Sequence, residues 1–320
     1  MRGTSRGIAA TAALLLTVTA AVAVEPYPTR TVRLLCWTSA GSPLDAMMRQ
    51  LGKQLGEVFG QNFVVDNRPG GAGVVAMAAL LNQPADGYNI LSTTSSMSFT
   101  MASGHIAFEP ANFTVLPATE AEPMALAVRA DSRFKTLKEV MDFLRASPNS
   151  LNVGGFSSAG FQQFVFYRLQ QEGKFKSVWI PFKGGQEAGL ALLGGHLDVA
   201  IMTPSSAPAQ IRNGDIRLLG ISSAQRSEYF PDVPTFKEQG YNVVEAIWRG
   251  VMVRAETPRG VVDALVTAVT KVKQTQEWKD LARQNMQSPI NISLDGMQRR
   301  VADEVTTYRE FLKSSGLLER

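Results

Sequence analysis

A single cysteine, Cys36, is all the thiol in 320 residues, so no disulfide can form within the chain. It lies in the apolar run Val32 to Cys36, where a buried inert thiol is expected rather than a nucleophile. Histidine is nearly as scarce: His105 falls in a polar stretch and His196 in the turn Gly194-Gly195-His196, and both read as surface positions. Without paired cysteines, an H-E-x-x-H motif or histidines clustered with carboxylates, neither a metal site nor a cofactor is expected. Also missing are a Pro/Gly/Ser-rich linker, a repeat of fixed period and any block of like charges. After the first 22 residues no apolar run approaches the about 20 residues of a membrane span, which excludes a permease.

The first residues carry the layout of a secretory leader. Arg2 and Arg6 precede an apolar run from Ile8 to Val22, which ends in Ala21-Val22-Ala23 just before Glu25 and Pro26. Residues 1–23 are therefore expected to be cleaved, placing the mature protein in the periplasm. Loss of Arg2 and Arg6 leaves 30 basic residues against 28 acidic, a net charge of +2 instead of +4. With no basic face, nucleic acid is not an expected partner.

Strands and helices alternate along the mature chain. Strand Val32 to Cys36 precedes a helix whose apolar positions Met47, Met48, Leu51, Leu55 and Phe59 recur at helical spacing. Strand Phe63 to Val65, helix Val74 to Leu81 and strand Ile90 to Leu91 follow. In the middle third come strand Leu151 to Val153, helix Phe161 to Gln171, strand Val178 to Pro181 and helix Gln186 to Leu193. Strand Leu197 to Met202, a short helix near Ser206 to Arg212 and strand Ile216 to Ile221 continue the pattern. The last sixty residues read as two amphipathic helices, Val261 to Trp278 and Leu294 to Leu312. Such alternation predicts an α/β protein with mainly parallel pairing, and the length suggests two lobes.

Two strand-to-helix junctions have ligand-binding chemistry. In Gly41-Ser42-Pro43-Leu44-Asp45, Ser42 is placed to cap a helix, Pro43 suits its first turn and Asp45 completes an S-x-x-D capping box. The amides and dipole of such a helix start favour an anion, although Asp45 opposes one placed too close. Gly154-Gly155-Phe156-Ser157-Ser158-Ala159-Gly160 offers hydroxyls and unhindered amides at a second junction. Facing each other across a cleft, the two would hold a small carboxylate. Gly155-x-Ser157-x-Ala159 falls one residue short of the serine-hydrolase elbow and has no histidine suited to a triad. Gly71-x-Gly73-x-x-Ala76 resembles a dinucleotide fingerprint but follows its strand too late and has no acidic residue about twenty positions on. Lys183 reads as an ordinary solvated lysine, and Arg249 as either an anion partner or a cation stacked on Trp248.

An ordered set of short motifs resembles the Bug family of periplasmic solute-binding proteins, the receptor components of tripartite tricarboxylate transporters. The set comprises Tyr27-Pro28, Asp66-Asn67-Arg68-Pro69-Gly70, Asp86-Gly87-Tyr88, Pro181-Phe182-Lys183-Gly184, Leu193-Gly194-Gly195 with Leu197-Asp198-Val199, and Pro231-Asp232-Val233-Pro234-Thr235. Glu238-x-Gly240-Tyr241, Trp248 and Thr257-Pro258 continue it in order. The resemblance implies a two-lobed Venus flytrap of type II kind, each lobe a mixed, mainly parallel sheet flanked by helices. One lobe would hold residues 24–122 and 244–320 and the other 123–243. It implies a receptor that does no chemistry, is monomeric, and delivers its ligand to membrane transporter subunits or reports it to a sensor kinase.

The first ligand loop of that family falls on Thr38-Ser39-Ala40-Gly41-Ser42-Pro43-Leu44-Asp45. Gly41 and Asp45 match, whereas Thr38, Ala40 and Ser42 stand where the family carries phenylalanine, proline and glycine. The second loop falls on Ser157, Ser158, Gly160, Phe161 and Gln162, with Phe161 in place of threonine and Phe164 in place of histidine, and Met202 occupies an acidic position. Together with Gly71, Gly73, Thr94 and Arg249, these residues form the expected ligand-binding set. Phe161, Met202 and Trp37 predict an apolar pocket suited to an aromatic or otherwise hydrophobic monocarboxylate.

Overall fold

The computed structural model describes residues 27–104, 108–158 and 160–317. The expected leader, residues 1–23, lies outside them, as do His105 and Ala159. In chain order the elements begin with β1 (Val32–Cys36), α1 (Pro43–Phe59), β2 (Phe63–Asn67), a 3₁₀ turn at Gly71–Gly73, α2 (Val74–Leu81) and β3 (Asn89–Thr94). They continue with α3 (Ser95–Ala102), β4 (Phe113–Val115), β5 (Glu120–Pro123), β6 (Ala125–Arg129), α4 (Leu137–Ala146), β7 (Val153–Phe156), α5 (Phe161–Gly173) and β8 (Trp179–Phe182). Next come α6 (Gly185–Leu193), β9 (Val199–Met202), a 3₁₀ turn at Pro204–Ser206, α7 (Pro208–Arg212) and β10 (Ile216–Ile221). The chain closes with β11 (Ala246–Arg254), α8 (Arg259–Gln274), α9 (Gln276–Gln284), β12 (Ser288–Pro289) and α10 (Leu294–Ser314).

The strands form two sheets, giving a two-lobed α/β fold. One has the order β12-β5-β11-β3-β1-β2, with β4 also paired to β11, and the other runs β10-β6-β9-β7-β8. Pairing is mixed rather than mainly parallel. β1 runs parallel to β2 and β3, and β7 to β8 and β9, but β11 is antiparallel to β3, β4 and β5, and β6 is antiparallel to β9 and β10. The antiparallel members are the strands at the passage between sheets and their neighbours.

That passage is short. Only Met124 separates β5 of the first sheet from β6 of the second. Ser222, fully buried after β10, ties the outgoing and returning segments. Its amide donates to Met124 O and its hydroxyl accepts from Met124 N, while Glu245 N donates to Ser222 O. The passage between the sheets thus keeps its backbone groups paired.

Amphipathic spacing explains the helices that the sequence makes visible. Met47, Met48, Leu51 and Leu55 form the buried stripe of α1, which Ser42 caps and Gly60 ends in a left-handed conformation. The expected helix Val261 to Trp278 instead divides at Thr275. Its extended backbone and side-chain oxygen, which accepts from Trp278 N, start α9 as a separate helix. α5, packed on β7 and β9, presents Phe164 to an aromatic cluster with Phe99 of α3 and Tyr308 and Phe311 of α10, at centroid distances of 6.3, 5.0 and 5.3 Å.

Candidate functional site

A cavity of about 350 Å³ lies where the two parallel triplets end. Its wall comes from six loops, each following the carboxyl end of a parallel strand. β1, β2 and β3 contribute the residues from Trp37 to Leu44 other than Gly41, then Pro69, Gly70 and Ala72, and Thr94 with Ser96, while β7, β8 and β9 contribute Phe156 with Gln162, Lys183 to Gln186, and Thr203 with Ser206. Ile247 and Arg249 of β11 complete the wall. This is the end of an open α/β sheet at which ligands are bound, and the volume is that of a small-molecule site.

The first loop is braced from within. Gly41, at φ +83°, turns the chain so that its amide donates to Asp45 Oδ2 at 2.9 Å. Asp45 also accepts from Arg49 Nε at 3.0 Å and from Asn67 Nδ2 at 2.9 Å. Burial alone would raise the Asp45 carboxyl, but these bonds outweigh it and hold the group below its ordinary range. The expected capping box is thus shifted by one residue. Ser42 Oγ accepts from Asp45 N, but the carboxylate returns to Gly41 rather than to Ser42. The amides of Gly41, Ser42 and Asp45 are thus used within the loop, whose cavity-lining residues Thr38, Ser39 and Ser42 carry hydroxyls. Those of Thr38 and Ser42 lie 2.7 Å apart.

On the opposite side Gln162 Oε1 accepts from Phe156 N at 2.5 Å. A glycine at 155 permits this, since a Cβ there would stand 2.6 Å from that same oxygen and 2.5 Å from Ile201 O. Phe156 lies opposite Trp37 with ring centroids 6.5 Å apart, so aromatic faces from both sheets bound the cavity.

Arg249 neither stacks on Trp248 nor stands free. Alternation along β11 sends the two side chains to opposite faces, and the Trp248 indole donates to Glu304 Oε1 at 2.7 Å. Arg249 is only 5% exposed and meets Glu122 Oε2 at 2.9 Å, with Glu120 Oε1 at 4.0 Å. Glu122 in turn accepts from Ser205 N and Ser205 Oγ at 2.6 and 2.7 Å. Oriented with its nitrogen toward Glu120, the Gln287 amide donates to that carboxylate at 3.0 Å and accepts from Arg249 Nη1 at 2.5 Å. Burial pushes the Glu120 carboxyl up to about 7, against the opposing pull of Arg249, while Glu122 adds to the rise and Lys273 also lowers it.

Of the expected ligand set, Thr38, Ser39, Ser42, Thr94, Gln162 and Arg249 line the cavity. Gly41, Gly71, Gly73, Ser157, Ser158 and Gly160 lie in the loops around it, but among the described residues they are not part of its wall. Gly71 and Gly73 shape the turn that presents Gly70 and Ala72. Phe161 and Met202 are corrected: both are buried in cores, Phe161 against Phe164 and Tyr308, and Met202 in the apolar cluster beneath α6. Neither lines the cavity, and its apolar wall comes from Trp37, Phe156, Ile247, Pro43 and Leu44 instead. Lys183 is exposed and also lines the cavity. The run Pro181-Phe182-Lys183-Gly184-Gly185, another strand-to-helix junction, was the signal for it.

Among the described residues the serine and histidine of a hydrolase do not come together. Ser157 follows β7 and His196 precedes β9, and because these strands are parallel the two residues lie at opposite ends of the sheet. Among the described residues no group of three or more metal-ligating side chains converges, and no helix is long and apolar enough to cross a membrane.

Two sheets joined by short crossings, with opposed strand-end loops around one cavity, define a solute-binding protein. The chain belongs to the tripartite tricarboxylate transporter receptors, whose family model matches residues 47–317. This is a family of periplasmic solute-binding receptors, not of enzymes. Protein BugT of Bordetella pertussis is 27% identical over 307 residues, covering 93% of each chain. Rpa4515 of R. palustris, solved with adipate, superposes with a TM-score of 0.81 at 25% identity, over 91% of this chain and 98% of its own. MatC of Rhodopseudomonas palustris, solved with bound malate, gives 0.80 at 21%, over 89% and 99%.

Proposed function

We propose that the protein captures a small organic carboxylate in this cleft, in the periplasm, and delivers it to the membrane subunits of a tripartite tricarboxylate-type transporter. The observation that carries the reading is the cavity itself, walled by three strand-end loops from each sheet and floored by a crossing strand. The lobes in this reading are residues 24–122 with 244–320, and 123–243, moving about Met124 and the segment before Ala246. A ligand touching both sets of loops stabilises the closed arrangement by its differential contacts. The malate and adipate in the related structures support carboxylate chemistry for this cleft.

A thermal-shift screen of organic acids tests the proposal. An acid present at one hundred times its dissociation constant stabilises by about 2.7 kcal/mol, which is readily seen as a rise in Tm. Absence of any shift across mono-, di- and tricarboxylates would sink it.

A further inference from the structure

The floor of the cavity sets two buried carboxylates against one guanidinium. Arg249 lines the cavity, and beside it lie Glu120 and Glu122 of β5, all three side chains no more than 5% exposed. The two carboxylates are not equivalent. Glu122 accepts from Ser205 N and Ser205 Oγ at 2.6 and 2.7 Å and meets Arg249 Nη2 at 2.9 Å, so donors that favour the ionised form reach both its oxygens. Glu120 has Arg249 only at 4.0 Å, and its nearer partner is the neutral Gln287 amide. Lys273 of α8 also acts on Glu120, but its ammonium donates to the carbonyls of Ala118 and Ile290.

Of the two, Glu120 is therefore the carboxylate on which a proton resides. Gln287 suits either state: its nitrogen donates to the ionised carboxylate at 3.0 Å, and the reversed amide presents its oxygen to a protonated one at the same distance. Tyr229, whose hydroxyl donates to Gln287 O at 3.1 Å, is a further titratable group at this node. Burial already raises the Glu120 carboxyl to about 7. With both carboxylates ionised, Glu120 and Glu122 cancel Arg249 and Lys273, and a single proton leaves the group with one net positive charge. Whatever amides and hydroxyls hold its oxygens, an anion in the cavity is attracted more strongly by the protonated cluster. By reciprocity, the bound anion draws the proton onto Glu120.

We propose that the cleft takes up its anionic ligand together with a proton, and that Glu120 is the site of that proton. The proposal rests on the carboxylate-receptor reading and adds a second bound species to it. Affinity then falls as pH rises through neutrality, and anion and proton leave together.

Calorimetric titration of the purified chain with malate, adipate and benzoate, in buffers of different ionisation enthalpy, tests it. A ligand that raises the Glu120 pKa by about one unit takes up about half a proton near pH 7.5, and binds about fivefold more weakly at about pH 8.5 than at about pH 6.5. Glu120→Gln should bind with an affinity that does not change over this range and take up no proton, whereas replacing both histidines, by His105→Asn with His196→Asn, should leave the uptake unchanged. In the natural chain, infrared difference spectra should gain a protonated-carboxyl band when the ligand is added, a readout that does not depend on the variant folding. Binding without pH dependence and without that band overturns the inference and leaves the receptor reading standing. Uptake that persists in a folded Glu120→Gln chain, or that vanishes with the histidines, overturns the assignment to Glu120. Binding of no acid at any pH overturns both readings together.

Discussion

Ser205 donates from its amide and from its hydroxyl to the two oxygens of Glu122, at 2.6 and 2.7 Å, joining the turn after β9 of one sheet to β5 of the other. Glu122 Oε2 also holds Arg249 of β11. One buried carboxylate thus fixes a cavity-lining cation to the turn that carries Thr203 and Ser206. Replacing Glu122 with alanine leaves a buried arginine whose second carboxylate lies 4.0 Å away. The expected cost is about 3–5 kcal/mol, seen as a lower urea midpoint. A change below about 1 kcal/mol would show that water takes over the role of the carboxylate.

The same cluster makes stability depend on pH. Glu120 titrates near 7 in the folded protein, above its ordinary 4.5, because burial disfavours its ionised form. A raised folded pKa favours the folded state fully below about pH 4.5, and this contribution is lost as pH rises through about 7. Between pH 5 and 8 the Glu120→Gln variant should therefore show a flatter stability profile than the natural chain, the difference amounting to a few kcal/mol. Parallel profiles would contradict the assignment.

Asp45 acts with the opposite sign. Its folded pKa lies below the ordinary value, so its contribution is present above the unfolded pKa and is lost as pH falls through the folded one. Asp45→Asn disrupts the acceptor for Gly41 N and Arg49, and should cost about 1.5–3 kcal/mol at pH 7 and less at pH 3. Since the loop that carries Thr38 and Ser42 depends on that acceptor, ligand affinity should fall as well, as calorimetry would record.

Phe164 is the ring through which α5 meets α3 and α10. Truncation to alanine removes its contacts with Phe99, Phe161, Tyr308 and Phe311, and an unfolding free energy lower by about 3–5 kcal/mol is expected. A loss of less than about 1 kcal/mol would mean that the cluster closes over the gap.

Much of the scaffold was legible because its inner strands are short, almost wholly buried apolar runs bounded by polar residues, and α1 carries a buried stripe at helical spacing. β1, β10 and α2 have the predicted limits, and Ser42 caps α1 as its sequence suggests. α3 was not legible because all eight of its residues are buried, which leaves no polar face to set a period. α4 does carry a readable signal, the capping box of Thr136 and Glu139 ahead of Leu137, Val140, Met141 and Leu144. The hydroxyl half of the cavity could be read from its strand-to-helix junctions. Its electrostatics could not, because Glu120, Glu122, Gln287 and Arg249 come together only through the antiparallel strands β5 and β11 and the segment before β12.

Native mass spectrometry of the protein, purified from the periplasm of a Gram-negative host after expression with its own first residues, tests the capture claim most directly. The account predicts a one-to-one complex carrying the mass of an organic acid, which dissociates on mild activation and is exchanged by an added carboxylate. A chain that is unliganded as isolated, and stays so with millimolar mono-, di- and tricarboxylates, would contradict it.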